Sequence, residues 1–346
     1  MNHFIDWEDL TTPQWWDLYR RFEEILAAPD DFRSAAKGRT LATLFYEPST
    51  RTRFSFEAAM LRLGGGVFGF SDPASSSVKK GETLRDTSIM VSGYADAVVL
   101  RHPREGAAKA ASLYSRVPVI NAGDGGHLHP TQTLTDLATI CRLRGSLDGL
   151  SVGVCGDLKH GRTVHSLLRA MARFPGVKIT LICPRALTIP DYVRDYIKGV
   201  PCTESDNLDT AIPRLDVLYM TRIQRERFAD PREYNRLRGT YVLTPGKLKR
   251  AKKDLIILHP LPRVDEIATE VDDDPRGKYF EQARLGMYVR MALLLSLFES
   301  GNEGYWPEVK HPDGARVCMN AGCVTADEPL PPLTRDDRCA YCESLL

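Results

Sequence analysis

TLATLFYEPSTRTRFSFEAAMLRLG, residues 40–64, joins a β-branched apolar run to an amphipathic run ending at Gly64 through one short polar corner. The first run reads as a strand covered on both faces, the last as a helix. Ser49, Thr50, Arg51, Thr52 and Arg53 stand together in that corner. The same plan recurs along the chain. Strand-like runs GVFGF, DAVVLR and VPVINA follow in the first half, and LSVGVCGD, VKITLIC, LDVLYM and DLIILHP in the second. Helix-like stretches such as TLRDTSIMVSGY separate them. Near-continuous apolar strands alternating with helices indicate parallel sheets with helices on both faces.

The fold class is therefore α/β: two doubly wound parallel-sheet domains with an interdomain cleft, plus a small C-terminal zinc-binding module. The helix HPTQTLTDLATICRLRG joins the two blocks, and EQARLGMYVRMALLLSLF follows the second. The expected division is 1–130, completed by a helix over 281–303, then 131–280, then a linker and metal module over 304–346. EGYWPEVKHPDG, rich in turn formers, reads as the linker.

A chain of 346 residues, 43% hydrophobic and 26% charged, has an ordinary globular composition. Its 46 basic residues against 45 acidic ones leave a net charge of +1, which gives no support to nucleic acid or a membrane as partner. No apolar run approaches the ~20 residues needed to span a bilayer. The start, MNHFIDWEDLTTPQWW, lacks a basic region before an apolar core, so the chain reads as cytoplasmic. Cys141, Cys155, Cys183 and Cys202 read as reduced structural cysteines.

In open α/β sheets ligands bind beyond the carboxyl ends of the strands. The polar residues cluster there: Ser49–Arg53, Arg101 with His102, Asp124 with Gly125, Asp157, Arg222 and His259. A hydroxyl residue before a helix caps free N–H groups, and those groups with the helix dipole attract anions. Arg51 and Arg53 add rigid forks suited to phosphate or carboxylate. A helix cap beside solvated arginines is the plainer alternative. No G-x-x-x-x-G-K-[ST] occurs and GVCGDLKHGR lacks the dinucleotide glycine spacing, so a small phosphorylated substrate fits better than a nucleotide. SSSVKKGETLRD suits a loop that closes on an anion, with a solvated surface loop as the alternative. His129 and Gln132 put a donor and an amide within one turn, able to polarise a carbonyl and orient an NH2 group.

FYEPSTRTRFSFE, KKGETLRDT, DAVVLRHP, NAGDGGHLHPTQTLTDL, GDLKHGRTVHSL, LYMTRIQRER and HPLPRVDEI occur in order between about residues 40 and 300. Together they resemble the catalytic chain of the aspartate carbamoyltransferases. The resemblance implies carbamoyl phosphate on Ser49, Thr50, Arg51 and Thr52, with Arg101 on the phosphate side. It implies Thr52, Arg101 and His129 at the carbonyl oxygen, and Gln132 with the carbonyls of Pro260 and Leu261 at the carbamoyl NH2. Arg51, Thr52, Arg101 and His129 are the catalytic set. Arg162, Arg222, Gln224 and Lys80 would hold aspartate. Ser76 and Lys80 match a loop that reaches into a neighbouring subunit, which implies a homotrimer with shared sites or a larger assembly. TRIQ and HPLPRVDE separate the aspartate enzyme from the ornithine one, and no organic cofactor is expected.

The chain departs from that family at its end. Cys318 and Cys323 are spaced C-x4-C, Cys339 and Cys342 C-x2-C, with fifteen residues between the pairs. The spacing suits four thiolates on a tetrahedral Zn²⁺, and two disulfides are the alternative that a reducing compartment disfavours. This stretch resembles the zinc-binding end of the separate regulatory chain found with some members, without its nucleotide-binding domain. A nucleic-acid-binding zinc ribbon is the rival reading. Asp327, Glu328, Asp336, Asp337 and Glu343, with no aromatic-basic surface, argue against it. With few large apolar residues, the segment is expected to depend on metal for its fold.

Overall fold

The computed structural model describes residues 2–225, 228, 230–300 and 316–346. The expected linker EGYWPEVKHPDG, residues 303–314, and the end of the helix expected over 281–303 lie outside the described residues. The chain divides into two compact units: residues up to Thr131 with Gly286–Leu346, and Gln132–Leu285.

The first unit opens on α1 (Thr12–Ala27), started by a reciprocal Thr11–Gln14 capping box. Its Trp15, Leu18, Phe22 and Ile25 recur at helical spacing and are buried. There follow β1 (Thr40–Phe45), α2 (Thr50–Arg62), β2 (Gly66–Phe70), α3 (Leu84–Val91), β3 (Ala97–His102), α4 (Ala107–Ser112) and β4 (Val119–Asp124). All strand pairs are parallel in the order β2-β1-β3-β4. The chain winds one way from β1 to β2, then crosses to β3 on the other side. The loops leaving β1 and β3 therefore diverge, and such a switch point opens a crevice at the carboxyl edge.

α5 (Pro130–Arg144) leads into the second unit. There β5 (Ser151–Cys155), α6 (Arg162–Met171), β6 (Lys178–Ile182), α7 (Asp191–Tyr196), β7 (Cys202–Ser205) and α8 (Leu208–Ala211) precede β8 (Val217–Met220). α9 (Pro231–Leu237), α10 (Pro245–Leu248) and β9 (Ile256–Leu258) complete it, and α11 (Tyr279–Glu299) begins in it and from Gly286 belongs to the first unit. The parallel order is β7-β6-β5-β8-β9, which puts the switch point between β5 and β8. β7 was not expected: CTES is a polar, largely exposed edge strand without the apolar run that marks buried ones. Its Cys202 is exposed, whereas Cys141, Cys155 and Cys183 are buried. The middle of α11 is apolar and buried, with Val289, Met291, Ala292, Leu293 and Leu294 inaccessible, whereas Phe280, Arg284 and Glu299 are exposed. Among the described residues no helix is long and apolar enough to cross a membrane.

The cysteine-rich segment belongs to the first unit. Its antiparallel pair β10 (Thr334–Arg335) and β11 (Arg338–Cys339) is too small to enclose a core. Instead Cys323, Val324, Tyr341 and Cys342 enter the apolar cluster of Leu84, Ala107, Ala111 and Val119. The expectation that this segment lacks a core of its own is met by borrowing one. Alanines along α4 and the glycine before it permit the close approach. Gly106 has φ 79°, and a Cβ there would lie 2.5 Å from the Tyr341 carbonyl oxygen.

Candidate active site and cysteine centre

In the first unit Ser49 is the N-cap of α2, but its hydroxyl accepts no helix N–H, so the side-chain cap expected from the sequence is not formed. Thr50 and Arg51 are exposed at the helix start and Thr52 is buried. Arg53 pairs with Glu57 one turn on, at 2.6 Å. Arg101, the last residue but one of β3, pairs with Phe45 of β1. Its guanidinium is held by Glu47 at 3.2 Å and by the Ala122 carbonyl at 3.3 Å. The β1 and β3 exits thus bring Ser49–Thr52 and Arg101 to one end of the sheet. Ser76 caps the short turn Ser77–Lys80, and Lys80 is exposed at its end. Both follow β2, the neighbouring strand.

His129 lies just beyond β4, buried, with the Thr131 hydroxyl 3.4 Å from its Nδ1. Asp124 shapes the turn that delivers it. One carboxylate accepts from Gly106 N at 2.8 Å, from Leu128 N at 3.1 Å and from the Asn121 amide at 3.2 Å, and faces His127 Nδ1 at 3.3 Å. His127 Nε2 meets Glu343 of the C-terminal segment at 2.9 Å. Burial alone would lower the His127 pKa, but Asp124 and Glu343 together raise it well above the usual histidine value. His102 behaves oppositely. Burial pushes it down to about 4, so its neutral Nδ1 accepts the Arg104 N–H at 3.0 Å.

In the second unit the β5 and β8 exits meet through Asp157. This fully buried carboxylate accepts from His160 N at 3.0 Å and Gln224 N at 3.4 Å. The Gln224 amide donates to the His160 carbonyl at 2.9 Å. Arg162 begins α6 at the end of the same loop and Arg222 stands two residues after β8, both half-buried. A second chain of hydrogen bonds runs from Gln132 to the loop after β9. The Gln132 and Gln282 amides donate to one Asp136 oxygen at 2.7 and 2.5 Å. Gln282 in turn accepts from His259 N at 3.0 Å, and His259 Nδ1 accepts from Leu261 N at 2.7 Å. Leu261 sits at φ 51°, an unusual conformation for a non-glycine residue. His259 Nε2 meets Glu266 at 2.6 Å, and Glu266 also accepts from Val264 N and Asp265 N at 3.1 Å. Burial would raise Glu266, but the His259 contact and those N–H groups hold it below the usual glutamate range.

Cys318, Cys323, Cys339 and Cys342 converge, all four sulfurs lying within 4.8 Å of one another. The Cys318 and Cys342 sulfurs stand 3.6 Å apart and the Cys323 and Cys339 sulfurs 3.9 Å apart, too long for disulfides. Thiolates about 2.3 Å from a tetrahedral ion stand roughly 3.8 Å apart. The donor set fits a metal ion, and the disulfide alternative is set aside.

Glu47, Asp136, Gln282 and Glu266 carried no role in the sequence reading. Asp136 was within reach, because a carboxylate four residues after Gln132 on one helix is a neighbour by geometry. Gln282 was not, since it lies 146 residues from Asp136.

The comparisons with known proteins give the class of this fold, the carbamoyltransferases. The family model "Aspartate/ornithine carbamoyltransferase, carbamoyl-P binding domain" matches residues 2–142, and "Aspartate/ornithine carbamoyltransferase, Asp/Orn binding domain" matches 148–297. The aspartate carbamoyltransferase catalytic subunit of Clostridium perfringens is 56% identical over 298 residues, 85% of this chain and 97% of that protein. Its counterpart from Clostridium acetobutylicum is 57% identical over 296 residues, 85% and 96% of the two chains. The solved catalytic subunit of M. jannaschii aspartate transcarbamoylase superposes with a TM-score of 0.80 at 48% identity, covering 88% of this chain and all of that one. The Trypanosoma cruzi enzyme, solved with carbamoyl phosphate and aspartate, gives 0.79 at 38% identity, covering 86% and 95%. The chain belongs to the aspartate carbamoyltransferase family, as a catalytic subunit. Its activity is transfer of the carbamoyl group to aspartate.

Proposed function

We propose that this chain makes N-carbamoyl-L-aspartate and phosphate, a step of pyrimidine biosynthesis, with the following division of labour. Ser49, Thr50, Arg51 and Thr52 hold the phosphate of carbamoyl phosphate, with Arg101 beside them. Arg101, Thr52 and His129 face the carbonyl oxygen, Gln132 and the carbonyls of Pro260 and Leu261 the NH2 group. Arg162 and Arg222 take the two carboxylates of aspartate, with Gln224 and Lys80 assisting. The aspartate amine attacks the carbamoyl carbon, and the carbonyl oxygen gains negative charge in a tetrahedral intermediate. The C–O bond to phosphate then breaks, and the amine proton leaves with the phosphate. Positioning and charge stabilisation supply the rate, and the reading calls on no organic cofactor.

The observation that supports this reading is the pairing of Arg101 with Phe45 across β1 and β3, which brings the exits of both strands, and with them Arg101 and the Ser49–Thr52 corner, to one end of the sheet. Ser76 and Lys80 are read as serving the site of an adjacent subunit in a homotrimer. The four thiolates are read as holding structural Zn²⁺, because tetrahedral all-sulfur sites favour it. Steady-state kinetics tests the assignment. Arg51→Ala is expected to raise KM for carbamoyl phosphate and Arg222→Ala KM for aspartate, with L-ornithine inactive. Equal effects of both variants on both substrates would refute the division. Metal analysis should return one zinc per chain, and a molar mass corresponding to one chain would refute the trimer.

A further inference from the structure

The C-terminal segment touches the parts of the first unit that lead to the proposed carbamoyl-phosphate groups. Glu328 accepts the first N–H of α3, from Leu84, through both oxygens at 2.9 and 3.0 Å. α3 starts right after the Ser76–Lys80 turn. The Tyr46 hydroxyl, Glu82 and Thr87 lie around the same point, and burial with the Glu328 and Glu82 charges pushes the Tyr46 pKa up to about 12. Val324 N and the Gly322 carbonyl pair with both backbone groups of Glu105 at 2.9 Å, in the loop after β3 that follows Arg101. The Asn320 amide holds the Glu105 carboxylate at 2.9 Å. Glu343 reaches His127 at 2.9 Å, and His127 leans on Asp124, which shapes the turn before His129.

These contacts are not those of a spacer. Glu328 lies between the two cysteine pairs and Glu343 just after the second; the first ends on the start of α3, four residues after Lys80, and the second on His127, two residues before His129. Glu343 directly follows Cys342, so closure of the four-sulfur cluster fixes where its carboxylate starts.

We infer that Glu328 and Glu343 are positioning residues for the carbamoyl-phosphate half of the site: the cysteine-bound segment clamps the start of α3 and the His129 turn, although it contributes no group to the substrate. This rests on the residue roles proposed above. It predicts that loosening either carboxylate weakens carbamoyl-phosphate binding while leaving the metal and the aspartate groups in place.

The test uses the full-length chain with Glu328→Ala, Glu343→Ala and the conservative Glu328→Gln and Glu343→Gln. Each alanine variant should raise KM for carbamoyl phosphate roughly fivefold, the effect of a lost helix cap or charge-assisted hydrogen bond. KM for aspartate should stay within about twofold, the metal content should match the parent, and glutamine, which keeps an acceptor oxygen, should restore part of the loss. Arg335→Ala, which removes an exposed pair to Glu8, should leave all constants unchanged. Parental kinetics in both alanine variants with metal retained would overturn the inference. So would loss of metal along with activity, which would make the two carboxylates folding determinants only. Parental kinetics in His129→Ala and Lys80→Ala would instead overturn the underlying site assignment.

Discussion

Replacing Asp136 by alanine removes the node on which Gln132 and the loop after β9 both depend. Asp136 is fully buried, and one of its oxygens accepts from Gln132 at 2.7 Å and Gln282 at 2.5 Å. Hydrogen bonds to a charged acceptor contribute about 1.5–3 kcal/mol each, and a buried donor left unpaired costs about 1–3 kcal/mol. Removing the carboxylate also returns the cost of burying it, which trims the sum to about 2–4 kcal/mol. At roughly 2–4 °C per kcal/mol for a domain of this size, the melting temperature should fall by roughly 5–15 °C. The kinetic loss should exceed what stability alone explains. Gln132 would be free to rotate, and Gln282 would no longer fix His259 and, through it, Leu261. A displacement of about 1 Å can cost on the order of 100-fold in rate, so kcat/KM for carbamoyl phosphate should drop about 10- to 100-fold. Differential scanning fluorimetry and initial-rate assays well below the melting temperature separate the two effects. Asp136→Asn keeps an oxygen toward both amides and should recover most of the stability. An alanine variant that melts with the parent and keeps its kcat/KM would refute the argument. So would an asparagine variant as damaged as alanine in both measures.

His129→Ala should lower kcat by roughly 10²–10³, the usual loss of one oxyanion donor, with melting little changed; near-parental turnover would remove His129 from the mechanism. Glu266 has its folded pKa below the usual value of 4.5, so its contribution is complete above that value and fades as pH falls through the lower folded value. Thermal melts between pH 6 and 3 should therefore show an acid-side loss that is shallower in Glu266→Gln, and identical slopes would refute it. Gly106→Ala forces a Cβ to 2.5 Å from the Tyr341 carbonyl at φ 79°, which should cost about 1–3 kcal/mol and expose the C-terminal segment to limited proteolysis. Equal cleavage rates in parent and variant would show that the segment is not anchored there.

The parallel sheets were legible because β1, β3, β4, β5 and β8 are buried on both faces, and burial writes itself as unbroken apolar runs. β7 was invisible because an edge strand needs no such run. Ser49 misled in a specific way. A serine before a helix suggests a side-chain cap, whereas its hydroxyl makes none and the α2 start is left to the arginine-rich corner. Arg53, one of five residues read as a unit, is engaged by Glu57, a pairing that helical spacing alone foretells. The long-range nodes were beyond reach. Neither Gln282 with Asp136 nor Glu343 with His127 follows from local pattern, since each needs the chain path that brings distant segments together.

The C-terminal segment shows why composition alone understates a small module. About thirty residues cannot bury enough apolar surface to offset their own ordering, and metal ligation is one solution. A second solution is present here: Val324, Tyr341 and three of the cysteines sit in a cluster that Leu84 and the α4 alanines already form. The two solutions are coupled, because Cys323, Cys339 and Cys342 belong both to the four-sulfur cluster that suits a metal ion and to that apolar cluster. Chelation should therefore do more than release an ion. It should free the cysteines to separate and open the apolar contact with α3 and α4, so exchange protection at Leu84 and Gly106 should fall together with that at Val324. Chelator treatment that deprotects the tail while leaving those two amides fully protected would show that the segment is held by metal alone.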